Sequence, residues 1–174
     1  MSRLCVIPAR GGSRRIPGKN VRDFAGRPML TYALKAAQDS GVFDHIHVST
    51  DDDKIAQAAT EAGAPPLFRR DPKLADDHTP IRDVVSSDLG RFTSGEGGFV
   101  SKGGAFTSIA LVYATAVLIE AADLRQAMKV FEDQPDKPLL AVVDVGTPLE
   151  RLMVEDTGIL RPALPANYAN RTQD

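Results

Sequence analysis

Residues 7–20 read IPARGGSRRIPGKN. They follow an apolar run, Leu4 to Ile7, that reads as a buried β-strand, so a glycine-rich loop opens where the first strand ends. The loop carries Arg10, Arg14, Arg15 and Lys19, and no acid appears until Asp23. The chain around it is not basic: 21 Lys and Arg stand against 23 Asp and Glu, a formal charge of −2. That balance offers no global attraction to nucleic acid or to an anionic membrane, so the cations are a local feature. Glycines let backbone N–H groups approach an anion closely, and cations neutralise it; together they make a phosphate cradle. The alternative is a solvated basic turn.

Two familiar nucleotide patterns do not fit. The P-loop spacing G-x-x-x-x-G-K-[ST] is nearly present from Gly12 to Asn20. It has one residue too many before Gly18, and Asn20 stands where a magnesium-binding hydroxyl belongs. The dinucleotide fingerprint G-x-G-x-x-G is absent.

Beyond the loop, helix-like and strand-like segments alternate. GRPMLTYALKAAQDSG places Pro28 in a first helical turn, an apolar stripe at Met29, Leu30, Ala33, Leu34 and Ala37, and a stop at Gly41. HIHVST is a short strand, and DDDKIAQAATEAG a helix with an aspartate cap and Gly63 at its end. PPLFRR reads as a short strand. HTPIRDVVSSDLGRF reads as a helix with Thr79 as cap and Pro80 first, and TSGEGGFVSKGG as a mobile loop. SIALVYA and PLLAVVDV are buried strands by pattern, EAADLRQAMKVFEDQ is an amphipathic helix, and RLMVEDTGILRP is a hairpin turning at Asp156 to Gly158. This order predicts an α/β fold, a mainly parallel central sheet with helices on both faces. Ligands of such sheets lie outside the carboxyl ends of the strands, where the basic loop sits. The 174 residues suit one domain, 1–174. The single cysteine, Cys5, lies in the first strand. With no signal peptide, it suggests a reducing cytoplasm. The longest apolar stretch, SIALVYATAVLIEAA, is broken by polar residues and predicts no membrane span.

The string IPARGGSRRIPGKN closely resembles the N-terminal motif of the sugar-acid cytidylyltransferases, which include the CMP-N-acetylneuraminate and CMP-pseudaminic acid synthetases. The resemblance continues in order through VSTDDDKIAQAATEAGA, FRRDPKLADDHT, LVYATA and NYANRTQD, with a weak stretch around 81–106. RIPGKN, YATA and RTQD bring it nearest to the pseudaminic acid cytidylyltransferases. The resemblance implies a nucleotide-diphospho-sugar-transferase type of fold and a homodimer, with the hairpin near the C-terminus as a dimerisation element. It implies transfer of CMP from CTP to a nine-carbon 2-keto sugar acid, with release of pyrophosphate and with Mg2+. Arg10 and Lys19 are then the catalytic cations. Gly11, Gly12, Ser13, Arg14 and Asn20 join them around the nucleotide, while Arg15 stands where relatives differ. Arg70 and Thr79 match positions beside the cytosine, although Asp71 before Pro72 departs from the pattern, as does Val117 where relatives have proline. Arg171 and Gln173 match the motif that holds the sugar acid, and a guanidinium can pair bidentately with its carboxylate.

Several residues keep a plainer reading. Arg70 is otherwise a surface charge, and Arg171 and Gln173 a frayed polar terminus. Asp51, Asp52 and Asp53 could hold magnesium, with Asp51 the candidate, or could cap and complement a helix N-terminus. His45 and His47 share one face of a strand and read as structural, and His78 as an exposed loop residue. Relatives continue beyond RTQD into further sheet and the main magnesium-binding aspartates, so the resemblance makes 1–174 a shortened form. The alternatives are therefore a truncated, non-catalytic CTP-binding module, or a cytidylyltransferase for another sugar acid.

Overall fold

The computed structural model describes residues 2–98, 106–143 and 153–163. Its centre is β1 (Arg3–Pro8), flanked on one side by β4 (His45–Ser49) and on the other by β5 (Ser108–Leu111). Both pairings are parallel, with Leu4 opposite His45 and Ile109, and Val6 opposite His47 and Leu111. The predicted parallel sheet is therefore present. β1 is buried because alternate side chains serve two cores. Cys5 and Ile7 meet α1 (Leu30–Ser40), α2 (Asp53–Glu61) and α4 (Ala121–Asp133) through Leu30, Leu34, Ile55 and Leu124. Leu4 and Val6 meet Phe68 and Phe92, the latter on α3 (Ile81–Thr93). Burial also pushes the Cys5 thiol up to about 12, the state of an inert core residue.

Helix ends follow local chemistry. Asp52 accepts from the Ile55 N–H and caps α2. Gly41 closes α1 at φ 65°, a left-handed conformation that costs a glycine little. Glu120 and Asp123 form a reciprocal capping box on α4.

Several elements depart from expectation. Pro28 does not enter α1; it pairs in a two-stranded ribbon, β2 (Asp23–Phe24) with β3 (Arg27–Pro28). Thr79 is not the cap of α3, because its N–H and hydroxyl both go to Asp76 and Pro80 occupies the cap position. PPLFRR is no strand: its ladder-like contact to β4's end is one bond, Arg70 N–H to the Thr50 carbonyl at 2.8 Å. SIALVYA is a strand over Ser108–Leu111 alone, at the edge of the sheet among the described residues, with Ile109 and Leu111 each 38% exposed. The described part of PLLAVVDV, residues 138–143, forms no strand, and Leu140, Val142 and Val143 are exposed. Of TSGEGGFVSKGG, Glu96–Gly98 forms a 3-10 turn; residues 99–104 lie outside the described part.

The chain groups into two compact units, 1–137 and 138–174. The second contains the predicted hairpin, β6 (Met153–Asp156) with β7 (Ile159–Pro162), whose turn residues Thr157 and Gly158 both have positive φ.

Candidate functional site

The basic loop leaves the carboxyl end of β1 and is held at both ends. Ala9 N–H bonds the Ser49 carbonyl of β4 at 2.9 Å. Next, the Gly11 N–H donates to Asp51 Oδ1 at 3.0 Å. A side chain at Gly11 would not fit, since a Cβ there would lie 2.7 Å from Asp52 Oδ2. At the far end, buried Asn20 donates from Nδ2 to the Arg10 carbonyl at 3.0 Å and so ties the loop's exit to its entry. Gly18, at φ 62°, turns the chain into the 3-10 turn Lys19–Val21. Of the expected backbone cradle, Gly11 N–H is taken by Asp51 and Ser13 N–H by the Gly11 carbonyl at 2.9 Å. The Gly12 N–H has no protein acceptor among the described residues.

Two of the loop's cations turn toward the segment 75–78. Arg10 pairs with Asp77 through Nη2 and donates from Nη1 to the Ala75 carbonyl at 3.3 Å. Arg14, on the outer side, pairs with the other Asp77 oxygen. The Arg10 hydrogen bond leads in holding the Asp77 carboxyl below the usual range, with the charges of Arg10 and Arg14 assisting. Asp76 is lowered too, chiefly by the N–H and hydroxyl of Thr79. Loop and segment enclose an open cleft of about 460 Å³. Lys19 is half-buried, and its ammonium has no partner among the described residues. Arg15 is exposed.

Arg70 is held against Ser49 at the end of β4 and is not a surface charge: it is 4% exposed. Nε donates to Ser49 Oγ at 3.1 Å and Nη2 to the Ser49 carbonyl at 2.8 Å. Burial pulls its pKa down, and the charges of Asp88 and Asp51 resist that fall. Asp88, on α3, is 1% exposed. Burial pushes its carboxyl up, and a hydrogen bond from Ser49 opposes the rise. The structure thus brings Arg10, Gly11, Gly12, Ser13 and Arg14 to one cleft, with Asn20 bracing the loop, while Lys19 and Arg70 are not among the residues that line it. Thr79 faces Asp76 from the neighbouring turn. Arg171 and Gln173 lie outside the described residues.

The aspartate triplet has structural work. Asp51 holds Gly11, Asp52 caps α2, and Asp53 pairs with Arg69. Among the described residues no three His, Cys, Asp or Glu side chains gather to hold a metal ion. His45 and His47 face the aromatic cluster of Phe68 and Phe92, as expected of structural residues.

Sequence reasoning overlooked Asp77, Ser49 and Asp88. Asp88 had a legible signal: it falls on the apolar stripe of α3, midway between Val84 and Phe92, where a carboxylate needs a reason. Asp77 had only its place in the acidic pair of KLADDHT.

The sequence profile described as "Cytidylyltransferase" matches residues 4–91. The chain is 34% identical over 175 residues to the pseudaminic acid cytidylyltransferase of Campylobacter jejuni, covering all of this chain and 72% of that protein. It is 42% identical over 89 residues to the CMP-N,N'-diacetyllegionaminic acid synthase of Legionella pneumophila, covering 51% of this chain and 38% of that protein. Among solved structures it is similar to CMP:2-keto-3-deoxy-manno-octonic acid synthetase complexed with CTP, with a TM-score of 0.63 and 23% identity. That match covers 79% of this chain and half of the other, and it bears on the fold.

Proposed function

The chain belongs to the cytidylyltransferase family, and from that premise we propose that it joins CMP from CTP to a nine-carbon 2-keto sugar acid of the pseudaminic or sialic type. The observation that carries the reading is the meeting of Arg10, Arg14 and the Gly12 amide in one cleft at the carboxyl end of the central strand. A triphosphate is the ligand that such a set suits. The sugar's anomeric hydroxyl attacks the α-phosphorus, and pyrophosphate leaves with the bridging oxygen. The protein's part is to align the reactants and to neutralise charge on the departing phosphates. Arg10 and Lys19 supply that charge, Arg14 assists from the rim, and Asn20 keeps the loop closed. Arg70 and Thr79 read the cytosine, and Arg171 with Gln173 holds the sugar acid's carboxylate.

Residues 1–174 act as one cytidylyltransferase-like domain, and the working form is a homodimer using the β6–β7 hairpin, whose Val154 and Ile159 are about half exposed. No described helix is long and apolar enough to cross a membrane; the proposed location is the cytoplasm. Magnesium is the proposed cofactor. The described residues do not fit a resident ion, since each aspartate of the triplet is already engaged. Mg2+ characteristically takes one or two carboxylates and fills its shell with phosphate oxygens and water. Asp51, beside the loop, is the acid that would offer the protein's share.

Pyrophosphate release with CTP against a panel of sugar acids tests the reading. Release with pseudaminic or sialic acid supports it. CTP binding without release from any acid would replace it with a non-catalytic module. Equal use of ATP or GTP would refute the base assignment.

A further inference from the structure

The cleft's two arginines are held by an acid of the chain itself. Asp77 gives one carboxylate oxygen to Arg10 Nη2 and the other to Arg14 Nε. Its side chain is only 18% exposed, yet it lines the cleft together with Arg10, Gly12 and Arg14. The loop does not need this bridge to keep its shape. Asp51 already holds the Gly11 N–H, Asn20 ties the exit to the Arg10 carbonyl, and Ala9 is bonded to β4. An ion pair as open as that of Arg14, 85% exposed, adds little to stability. What the carboxylate does supply is two anionic oxygens, one at each guanidinium, the contacts that a phosphate group makes with such a pair.

The backbone on either side of Asp77 is braced by local bonds. Before it, Asp71 caps the 3-10 turn Pro72–Leu74 by accepting from the Lys73 N–H at 2.9 Å. After it, Asp76 Oδ1 accepts from the N–H groups of His78 and Thr79, at 2.8 and 2.6 Å, and from the Thr79 hydroxyl at 2.8 Å. Side-chain turns of this kind close on their own segment and do not depend on the arginines. Asp77 therefore stays on the cleft wall when a triphosphate takes Arg10 and Arg14, as a negative charge beside the phosphates.

We propose that Asp77 is a positioning residue for pyrophosphate release: it retakes Arg10 and Arg14 as the two phosphates leave, and so keeps the product from holding the site. The inference rests on the reading of the loop as the triphosphate site. Any ligand that takes both arginines must displace Asp77, so the acid weakens pyrophosphate and CTP by the same factor. CTP keeps further contacts through its base and ribose, whereas pyrophosphate has only its phosphates. The same loss therefore falls hardest on the product, whose release sets the turnover of many enzymes. CMP lacks both departing phosphates and leaves Asp77 where it is.

The test is calorimetry on the full chain with pyrophosphate, CTP and CMP at one fixed Mg2+ concentration. Asp77→Asn keeps the side chain's shape, and Asp77→Ala repeats the measurement should the amide find new partners. Both variants are expected to bind pyrophosphate and CTP about two- to fivefold more tightly, and CMP within about 1.5-fold of wild type. A merely structural role would move all three ligands together or none of them. Unchanged or weaker pyrophosphate binding in both variants, beside a loss in Arg10→Ala, overturns the role of Asp77 alone. Equal tightening of CMP also overturns it, since the effect would then not follow the departing phosphates. If Arg10→Ala binds pyrophosphate as the wild type does, the triphosphate reading fails first, and the role of Asp77 falls with it.

Discussion

At Gly11 the difference of one methyl group decides whether two segments can meet. An alanine Cβ would lie 2.7 Å from Asp52 Oδ2 and 2.8 Å from Asp52 Cβ, closer than real Cβ contacts come. Asp52 cannot yield freely, because its other oxygen caps α2. Gly11→Ala is therefore expected to cost about 1–3 kcal/mol in urea unfolding. Gly12→Ala, with nothing within 4 Å, should stay within about 0.5 kcal/mol of wild type. Equal losses at the two positions would contradict the packing of the loop on α2. Asp77 raises a different question, since its carboxylate occupies the guanidiniums that a triphosphate would use. A bound nucleotide must displace it from Arg10 and Arg14. Asp77→Asn is thus expected to tighten CTP binding, about two- to fivefold for ion pairs of this exposure. Weaker binding in that variant would mean that the acid holds the arginines in place for the ligand.

Among the elements, β4 carries the titratable part of the core. Its face bears His45 and His47 toward Phe92, and both imidazoles are pushed down by burial. Folded His47 protonates near 3 against an ordinary 6.5, so the unfolded chain takes the proton first. The stability this group contributes is full above about 6.5 and falls as pH drops toward 3, by up to about 1.4 kcal/mol per pH unit. Asp88, raised by burial, has the opposite sign above its ordinary 3.8, and Arg70 and Arg91 add like charge to the imidazole's surroundings. His47→Phe should flatten the fall of urea-unfolding stability between pH 6.5 and 4.5, leaving the smaller slope of His45. An unchanged slope would mean that His47 does not carry it. The same strand shows what the sequence could reveal. HIHVST and Leu4–Ile7 were readable because apolar alternation and length are local properties, and the glycine stop at Gly41 was readable for the same reason. PPLFRR misled because Leu67 and Phe68 are apolar for another purpose, to plug the core behind Leu4 and Val6. PLLAVV has strand composition, but a strand also needs a neighbour to receive its N–H groups. The cation loop announced itself by composition, whereas its pairing with Asp77 joins residues 67 positions apart, a distance no local pattern spans. Buried Arg70 was legible only through its motif, because its burial depends on Ser49 and α3.

Across the whole molecule, the nucleotide candidates and the sugar candidates lie far apart in the sequence. Arg10 to Asn20, Arg70 and Thr79 fall within its first 79 residues, and Arg171 and Gln173 within its last four. Substitution should separate the two substrates accordingly. Arg171→Ala is expected to raise the KM for the sugar acid by about 10- to 100-fold, the loss of a charge-assisted hydrogen bond, while CTP affinity stays within about twofold of wild type. A comparable loss of CTP binding would place Arg171 at the nucleotide instead. The sheet order has one more consequence, in time. β1 leaves the ribosome before both of its neighbours and, among the described residues, is the strand paired on two sides, yet β5 follows it by about 100 residues. At a synthesis rate of about 5–20 residues per second, one edge of the central strand waits on the order of 5–20 s for its partner. During that interval the nascent chain presents Leu4, Cys5, Val6 and Ile7, all 0% exposed when folded, beside an open row of amides that can pair with another chain. Soluble yield should therefore depend on translation speed and on chaperone supply, even where the finished fold is unchanged.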